Sequence, residues 1–243
     1  MKKILITFYT EDYSIAKKSL IKSAHNYFDE ILEYTPEYID SDFAIKNKNI
    51  LKEKKGAGYW LWKPYFIYKT LLDCEYGDSV FYVDAGNIFV NNPNEIFNYI
   101  QNENDIILFD NRDGMTNGDS ARNYISCKKD CFVLMGCDSD KYINGLHLNA
   151  SYQIYKKSKN SLDFVYEYLI FCQNENILKD SDNLFGSNYS GYYDHRHDQS
   201  VLSLLAIKYD IKPLVDPSEW GNKCGCRGFN QIFLHHRNKN FEL

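Results

Sequence analysis

The chain has 243 residues, with 28 Lys and Arg against 33 Asp and Glu and a formal net charge of -5 at neutral pH. A mildly acidic protein without a block of basic residues lacks the electrostatic footprint of a general nucleic-acid binder, whose affinity rests on neutralising many phosphates. At 44% hydrophobic and 16% aromatic residues it carries enough apolar surface for a full-sized core, which excludes disorder and favours one domain over 1–243.

Met1-Lys2-Lys3 before Ile4-Leu5-Ile6 starts like a signal peptide, but Thr7, Glu11 and Asp12 cut the apolar stretch short of an h-region. The β-branched run from Lys3 to Tyr9 therefore predicts a buried strand. Tyr13 to Phe28, apolar at Ile15, Leu20, Ile21, Ala24 and Phe28, predicts a helix. Glu30 to Thr35 reads as a second strand, and Asp40 to Lys55 as a lysine-rich helix with a solvated face. Gly56-Ala57-Gly58 introduces Tyr59-Trp60-Leu61-Trp62-Lys63-Pro64, where Pro64 suits the first position of a helix reaching Leu72.

Val80 to Val83 is the next strand, ending at Asp84-Ala85-Gly86-Asn87. A helix from Asn94 to Gln101 leads to a strand from Asp105 to Phe109, followed by a polar loop, Asp110 to Ser120, with the composition of a mobile lid. Helical segments through Met135 precede a strand from Leu146 to Lys156, helices at Ser161 to Cys172 and Asp198 to Tyr209, and strands at Ile211 to Val215 and Ile232 to His235. Strands alternating with helices predict an α/β fold, its mainly parallel sheet covered on both faces.

No run approaches the roughly 18 apolar residues of a membrane-spanning helix, so any membrane contact is expected to be peripheral. The 7 Cys, an odd number without framework spacing, suit reduced thiols and a cytoplasmic location. Neither Cys224-Gly225-Cys226 nor Cys127 with Cys131 has the paired C-x-x-C spacing of a zinc site.

Ligands of open α/β sheets bind at the carboxyl ends of strands, which directs attention to polar residues that follow apolar strands. Asp84 ends a strand that should be fully buried, as a turn-former or as a hard oxygen ligand for a divalent cation bridging phosphates. Asp194-His195-Arg196-His197-Asp198-Gln199-Ser200 opens an amphipathic helix. Asp198 alone could be its N-cap, but seven consecutive polar or ionisable residues exceed what capping requires and point to a site. Phe233-Leu234-His235-His236-Arg237 puts two imidazoles on opposite faces of a late strand, so that one faces the cleft edge. Gly56-x-Gly58 lacks the preceding strand and third glycine of a dinucleotide fingerprint. Tyr59, Trp60 and Trp62 are core packing or stacking platforms for sugars and bases.

In this order the segments resemble a GT-A-type glycosyltransferase, nearest in layout to the retaining family that includes glycogenin and bacterial lipopolysaccharide galactosyltransferases. VFYVDAGNIFVNNPNEIF, from Val80 to Phe97, is similar to that family's YLDADxxVxxxxxxLF segment with its metal-binding Asp-x-Asp motif, except that Gly86 replaces the second Asp. Leu148-Asn149-Ala150-Ser151 resembles its sugar-contacting segment, and Asp198-Gln199-Ser200-Val201-Leu202 its Asp-Gln-x-x-Leu motif. The combination of GAGYWLWKPY, VDAG and HRHDQS also resembles bacterial proteins associated with surface polysaccharides.

The resemblance implies a GT-A fold with a nucleotide-binding half to about residue 110 and an acceptor-side half from 111. The implied substrates are a nucleoside diphosphate sugar, with UDP-hexose expected, and a glycan or glycolipid acceptor. Thr7, Tyr9 and Asp12 would contact the nucleoside, Asn149 the sugar, and Asp198 and Gln199 the reacting centre. Mn²⁺ or Mg²⁺ would be held by Asp84 and by His235 or His236. Alternatively, Lys63, Arg196 or Arg237 would neutralise the diphosphate without metal. Asp198 would be the general base of an inverting reaction; Gln199 or the leaving phosphate would assist a retaining one, towards which the resemblance leans. The rival readings are a metal-dependent phosphohydrolase using His195, His197, Asp198 and Asp84, and a nucleotide-sugar or glycan-binding protein with a decayed metal site.

Overall fold

A computed structural model of the protein describes residues 1–102, 104–112 and 120–243. Most of the expected lid, Asp110 to Ser120, lies outside these residues. Among the described residues seven strands form two sheets: β1 (Lys3–Phe8), β2 (Glu30–Tyr34), β3 (Ser79–Val83), β4 (Ile88–Phe89), β5 (Ile106–Asp110), β6 (Leu148–Lys156) and β7 (Phe233–Leu234). The main sheet has the order β2-β1-β3-β6-β5; β1 pairs in parallel with β2 and β3, whereas β6 runs antiparallel between β3 and β5. β4 and β7 pair antiparallel as a small separate sheet.

Helices cover both faces, and the period-2 alternation of side chains along a strand sorts the core into two layers. Ile4, Ile6, Phe8, Val80 and Tyr82 face the helices Trp62–Asp73, Lys159–Cys172 and Asp198–Lys208, packing on Phe66, Phe164 and Leu205 among others. Leu5, Phe81 and Val83 face the opposite way, against Leu20, Phe97 and Phe233. Phe81 is fully buried, with its ring 5.5–6.2 Å from those of Phe28, Phe89, Phe97 and Phe233. Phe81→Ala is therefore expected to cost about 3–5 kcal/mol, read as a lowered urea midpoint, because helices on one side and sheet on the other leave the cavity little room to collapse. An unchanged midpoint would show that this layer repacks freely.

Several expected elements differ. The helix expected from Asp40 to Lys55 breaks at Asn47 into Ser41–Lys46 and Lys48–Leu51; the Asn47 side-chain amide donates to the Phe43 carbonyl, a local bond that competes with the helical ladder. Pro64 is the third residue of Trp62–Asp73, still within the first turn where a missing N–H costs nothing. The strand expected at Ile211 to Val215 is a single bridge from Leu214 to Phe109. Cys224 and Cys226 form a disulfide, contrary to the expectation of reduced thiols throughout, while Cys74, Cys127, Cys131, Cys137 and Cys172 are free. Among the described residues no helix is long and apolar enough to cross a membrane.

Candidate active site

A cleft of about 580 Å³ opens where the chain leaves β1 and β3 at their carboxyl ends. The Asp194 to Gln199 segment closes one side, and His235, Arg237 and Lys239 close another. β3 is buried at every residue, so Asp84 is the first position at which that strand meets solvent. Tyr82, two residues earlier and on the same face, donates its hydroxyl hydrogen bond to Asp84 Oδ1.

Lys63 is the hub of the site. Its side chain is only 3% exposed, and its Nζ lies 2.8 Å from Asp198 Oδ2 and 3.5 Å from Asp84 Oδ1. Burial by itself would favour the neutral amine, but Asp198 and Asp84 together outweigh it and raise the Lys63 pKa. One ammonium thus serves two carboxylates. Burial is the larger influence on Asp198 and lifts its pKa above the usual carboxylate value against the pull of Lys63. Tyr168 adds a hydrogen bond to Asp198 Oδ2 at 3.2 Å. Asp198 therefore does not cap its helix; His197 occupies the N-cap, with φ 55°.

The run Gly56 to Trp60 has positive φ at every residue, a left-handed turn that costs about 1–2 kcal/mol at each non-glycine position. Gly56 is required there: a Cβ on it would lie 2.4 Å from the Trp60 ring. The turn brings Trp60 into the cleft and stacks it on His197 at 5.4 Å. Ala57, Trp60, His197 and Arg237 all combine positive φ with a place in the cleft lining, and such strain concentrates at functional sites.

The sequence-derived candidates divide. Tyr9, Asp12, Lys63, Asp84, Arg196, Asp198, Gln199 and His235 line the cleft. Asp12 pairs with Lys239 at 2.7 Å, and Arg196 Nε with Asp194 at 2.9 Å. Thr7 is buried outside the lining, with no partner for its hydroxyl. Asn149 is likewise buried behind the cleft, donating to Asp216 Oδ2 at 3.0 Å; Ser151 is the β6 residue that reaches the lining. His236 turns away, its ring stacked on Phe241 at 4.1 Å. His195 and His197 have their ring nitrogens hydrogen-bonded to the carbonyls of Ile177 and Leu178, each at 2.8 Å, and burial holds both imidazoles neutral. Sequence reasoning missed Tyr82, Tyr168 and Ser151; the i, i+2 relation to Asp84 was the available signal for Tyr82.

The side chains present do not fit a divalent cation. Among the described residues no group of three His, Cys, Asp or Glu side chains is arranged to hold one. Asp84 Oδ1 is engaged by Tyr82 and Lys63. His235 Nε2 accepts a hydrogen bond from Arg237 Nε at 3.1 Å, so the neutral ring carries its proton on Nδ1 and offers no lone pair to a metal. Burial, aided by Arg237, lowers the His235 pKa to about 3.

No family model matches the chain, and no curated protein does. Two solved structures follow a similar backbone course. The WbbM bifunctional glycosyltransferase in its apo form matches at 10% identity and TM-score 0.46, over 84% of this chain and 37% of the other. The apo form of mouse xyloside xylosyltransferase 1 matches at 8% identity and TM-score 0.48, over 96% of each chain. The chain thus spans little more than a third of the first protein. Likenesses of this degree transfer no residue role.

Proposed function

We propose that the protein is a GT-A-type glycosyltransferase that moves a hexosyl unit from a nucleoside diphosphate sugar, with uridine as the nucleoside, to a hydroxyl of a surface glycan or related glycoconjugate. The observation that carries this reading is the convergence of Asp84, Lys63, Asp198 and Gln199 in one cleft at the carboxyl ends of β1 and β3, which Trp60 also lines. These are residues whose motifs resemble the donor and reacting-centre segments of that class.

In the transfer, the bond from the anomeric carbon to the diphosphate oxygen breaks and a bond to the acceptor oxygen forms. The acceptor proton passes to the departing phosphate oxygen. Retention of configuration is the favoured course, because Asp198 Oδ2 already holds both Lys63 and Tyr168. Asp198 then acts as a fixed negative charge near the oxocarbenium-like carbon rather than as a proton acceptor, with Gln199 beside it. The phosphohydrolase alternative would need His195, whose two ring nitrogens are both taken, one by the Ile177 carbonyl and the other by the Lys128 N–H.

A thermal-shift panel of nucleotides and nucleotide sugars tests the class, since a ligand that binds only the folded state raises the melting temperature by mass action. At least one nucleoside diphosphate or its sugar should do so; failure of all of them would sink the reading. Asp84→Ala is expected to lower turnover with the matching donor by about 100-fold or more, the scale of losing one charged group from a preorganised site. Wild-type turnover in that variant would reduce Asp84 to a structural role.

A further inference from the structure

We propose that Arg237, docked on Gly86, takes the place of a divalent cation in neutralising the donor diphosphate, so that donor binding is independent of metal. This rests on the glycosyl-transfer reading above. Gly86 stands where the resemblance puts the second carboxylate of Asp-x-Asp, and the chain closes that position with backbone. A Cβ on Gly86 would lie 3.3 Å from Arg237 Cα and 3.6 Å from Arg237 N, and the Arg237 N–H donates to the Gly86 carbonyl at 3.0 Å. The glycine is thus the seat of the arginine.

Arg237 is held there at φ 53°, a conformation unfavourable for a side-chain-bearing residue and maintained only where surrounding contacts impose it. Arg237 lines the cleft with Asp84 and Gly86. Nε is spent on His235, and among the described residues no carboxylate pairs with the rest of the fork. The other cleft cations are more committed: Lys63 to Asp198 and Asp84, Lys55 to Asp180, Lys239 to Asp12. Lys54 alone shares with Arg237 the condition of lining the cleft without an ion-pair partner among the described residues.

A planar guanidinium with two free N–H directions matches two oxygens of a diphosphate, and Lys54 supplies a second charge. A divalent cation in the same space would share the cleft with the cationic Arg237 and Lys63, and the lone pair of His235 Nε2 is already taken by Arg237. The misfit of the metal and the readiness of the arginine therefore have one cause, the Gly86–Arg237 contact.

The test is calorimetric titration of UDP, ADP, GDP, CDP and inorganic pyrophosphate into the full chain, in EDTA and in excess Mn²⁺, for wild type, Arg237→Gln and Arg237→Lys. At least one diphosphate should bind wild type with equal affinity in the two conditions, within about twofold. Arg237→Gln should weaken it by about tenfold or more, and Arg237→Lys should recover part of the loss, since the lysine keeps the charge and gives up the fork. The corresponding nucleoside should bind all three proteins alike, which separates a phosphate contact from a folding defect. Binding that requires Mn²⁺, or undiminished binding by Arg237→Gln, overturns this inference and leaves the glycosyl-transfer reading standing. No binding of any diphosphate in either condition overturns both.

Discussion

Lowering the pH from 7 to 5 is expected to destabilise the protein by about 4 kcal/mol. The cause is a set of imidazoles buried in the neutral form. Burial lowers His147 and His235 to about 3 and His197 to about 4, and carries His195 well below its ordinary value. The hydrogen bonds of His147, His195 and His197 go to neutral groups, as in the His147 contact with Asn123 Oδ1 at 3.1 Å, and the carboxylate nearest to them, Asp180 at 3.7 Å from His197 Nε2, does not overcome burial. In the unfolded chain these histidines take up protons near pH 6.5, whereas in the folded chain they do not. Below that value the unfolded state binds more protons and stability falls with falling pH, by up to about 1.4 kcal/mol per pH unit for each ring.

Asp216 works in the opposite sense. Burial raises its folded pKa to about 6, so between about 6 and the unfolded value the folded state binds the extra proton and gains stability as pH falls. Asp198, whose pKa burial also raises, acts in the same sense; the two carboxyls offset two of the four imidazoles, and a net loss of about two ring equivalents remains. Urea unfolding at pH 7 and pH 5 measures the difference. His147→Leu, which removes a ring of similar bulk, should flatten the slope by one proton. Equal stability at the two pH values would mean that these rings are not neutral in the folded protein.

Lys63→Met is expected to cost about 3–5 kcal/mol of stability at neutral pH, the scale of removing one member of a buried ion pair. Methionine fills the space of the stem but leaves Asp198, 4% exposed at its side chain, facing Asp84 without the ammonium that neutralises both. Turnover should fall by about 100-fold or more, since the two carboxylates would repel and lose their preorganised positions. The pH dependence separates this account from a simple packing defect. Without Lys63 the folded pKa of Asp198, already raised by burial, rises further. The folded variant then binds the extra proton, so the deficit relative to wild type shrinks as pH falls and grows as pH rises through that value. Lys63→Met combined with Asp198→Asn should recover part of the stability and none of the activity, the signature of coupled residues in a double-mutant cycle. A variant with the wild-type urea midpoint at neutral pH would show that Lys63 is not the hub of the site.

The sheet was largely legible in the sequence because its signals are local. Val80 to Val83 is a short apolar run, buried on both faces and ended by a carboxylate, and β1 has a similar apolar, β-branched run from Ile4 to Phe8. The helix expected from Ser161 to Cys172 starts two residues earlier, at Lys159, behind a capping box formed by Ser158 and Ser161. Local signals misled where a distant partner was needed: Ile211 to Val215 has strand composition but makes one bridge, at Leu214, because the edge of β5 offers it no longer run. The antiparallel course of β6 is equally a matter of tertiary arrangement, since a strand's composition does not record the direction in which it crosses the sheet.

At the site the sequence determined that Asp84 would stand at a strand end and that Asp198 would open a helix, since hydrophobic periodicity locates both positions. The tertiary structure alone decided their chemistry. Lys63 joins two carboxylates far from it in the chain, Asn149 is withdrawn behind the cleft to Asp216, His236 turns to Phe241 while His235 stays, and Arg237 settles on Gly86. Each outcome depends on distances of a few ångströms and on the removal of water. Desolvation and Coulomb attraction act through space, whereas periodicity acts along the chain.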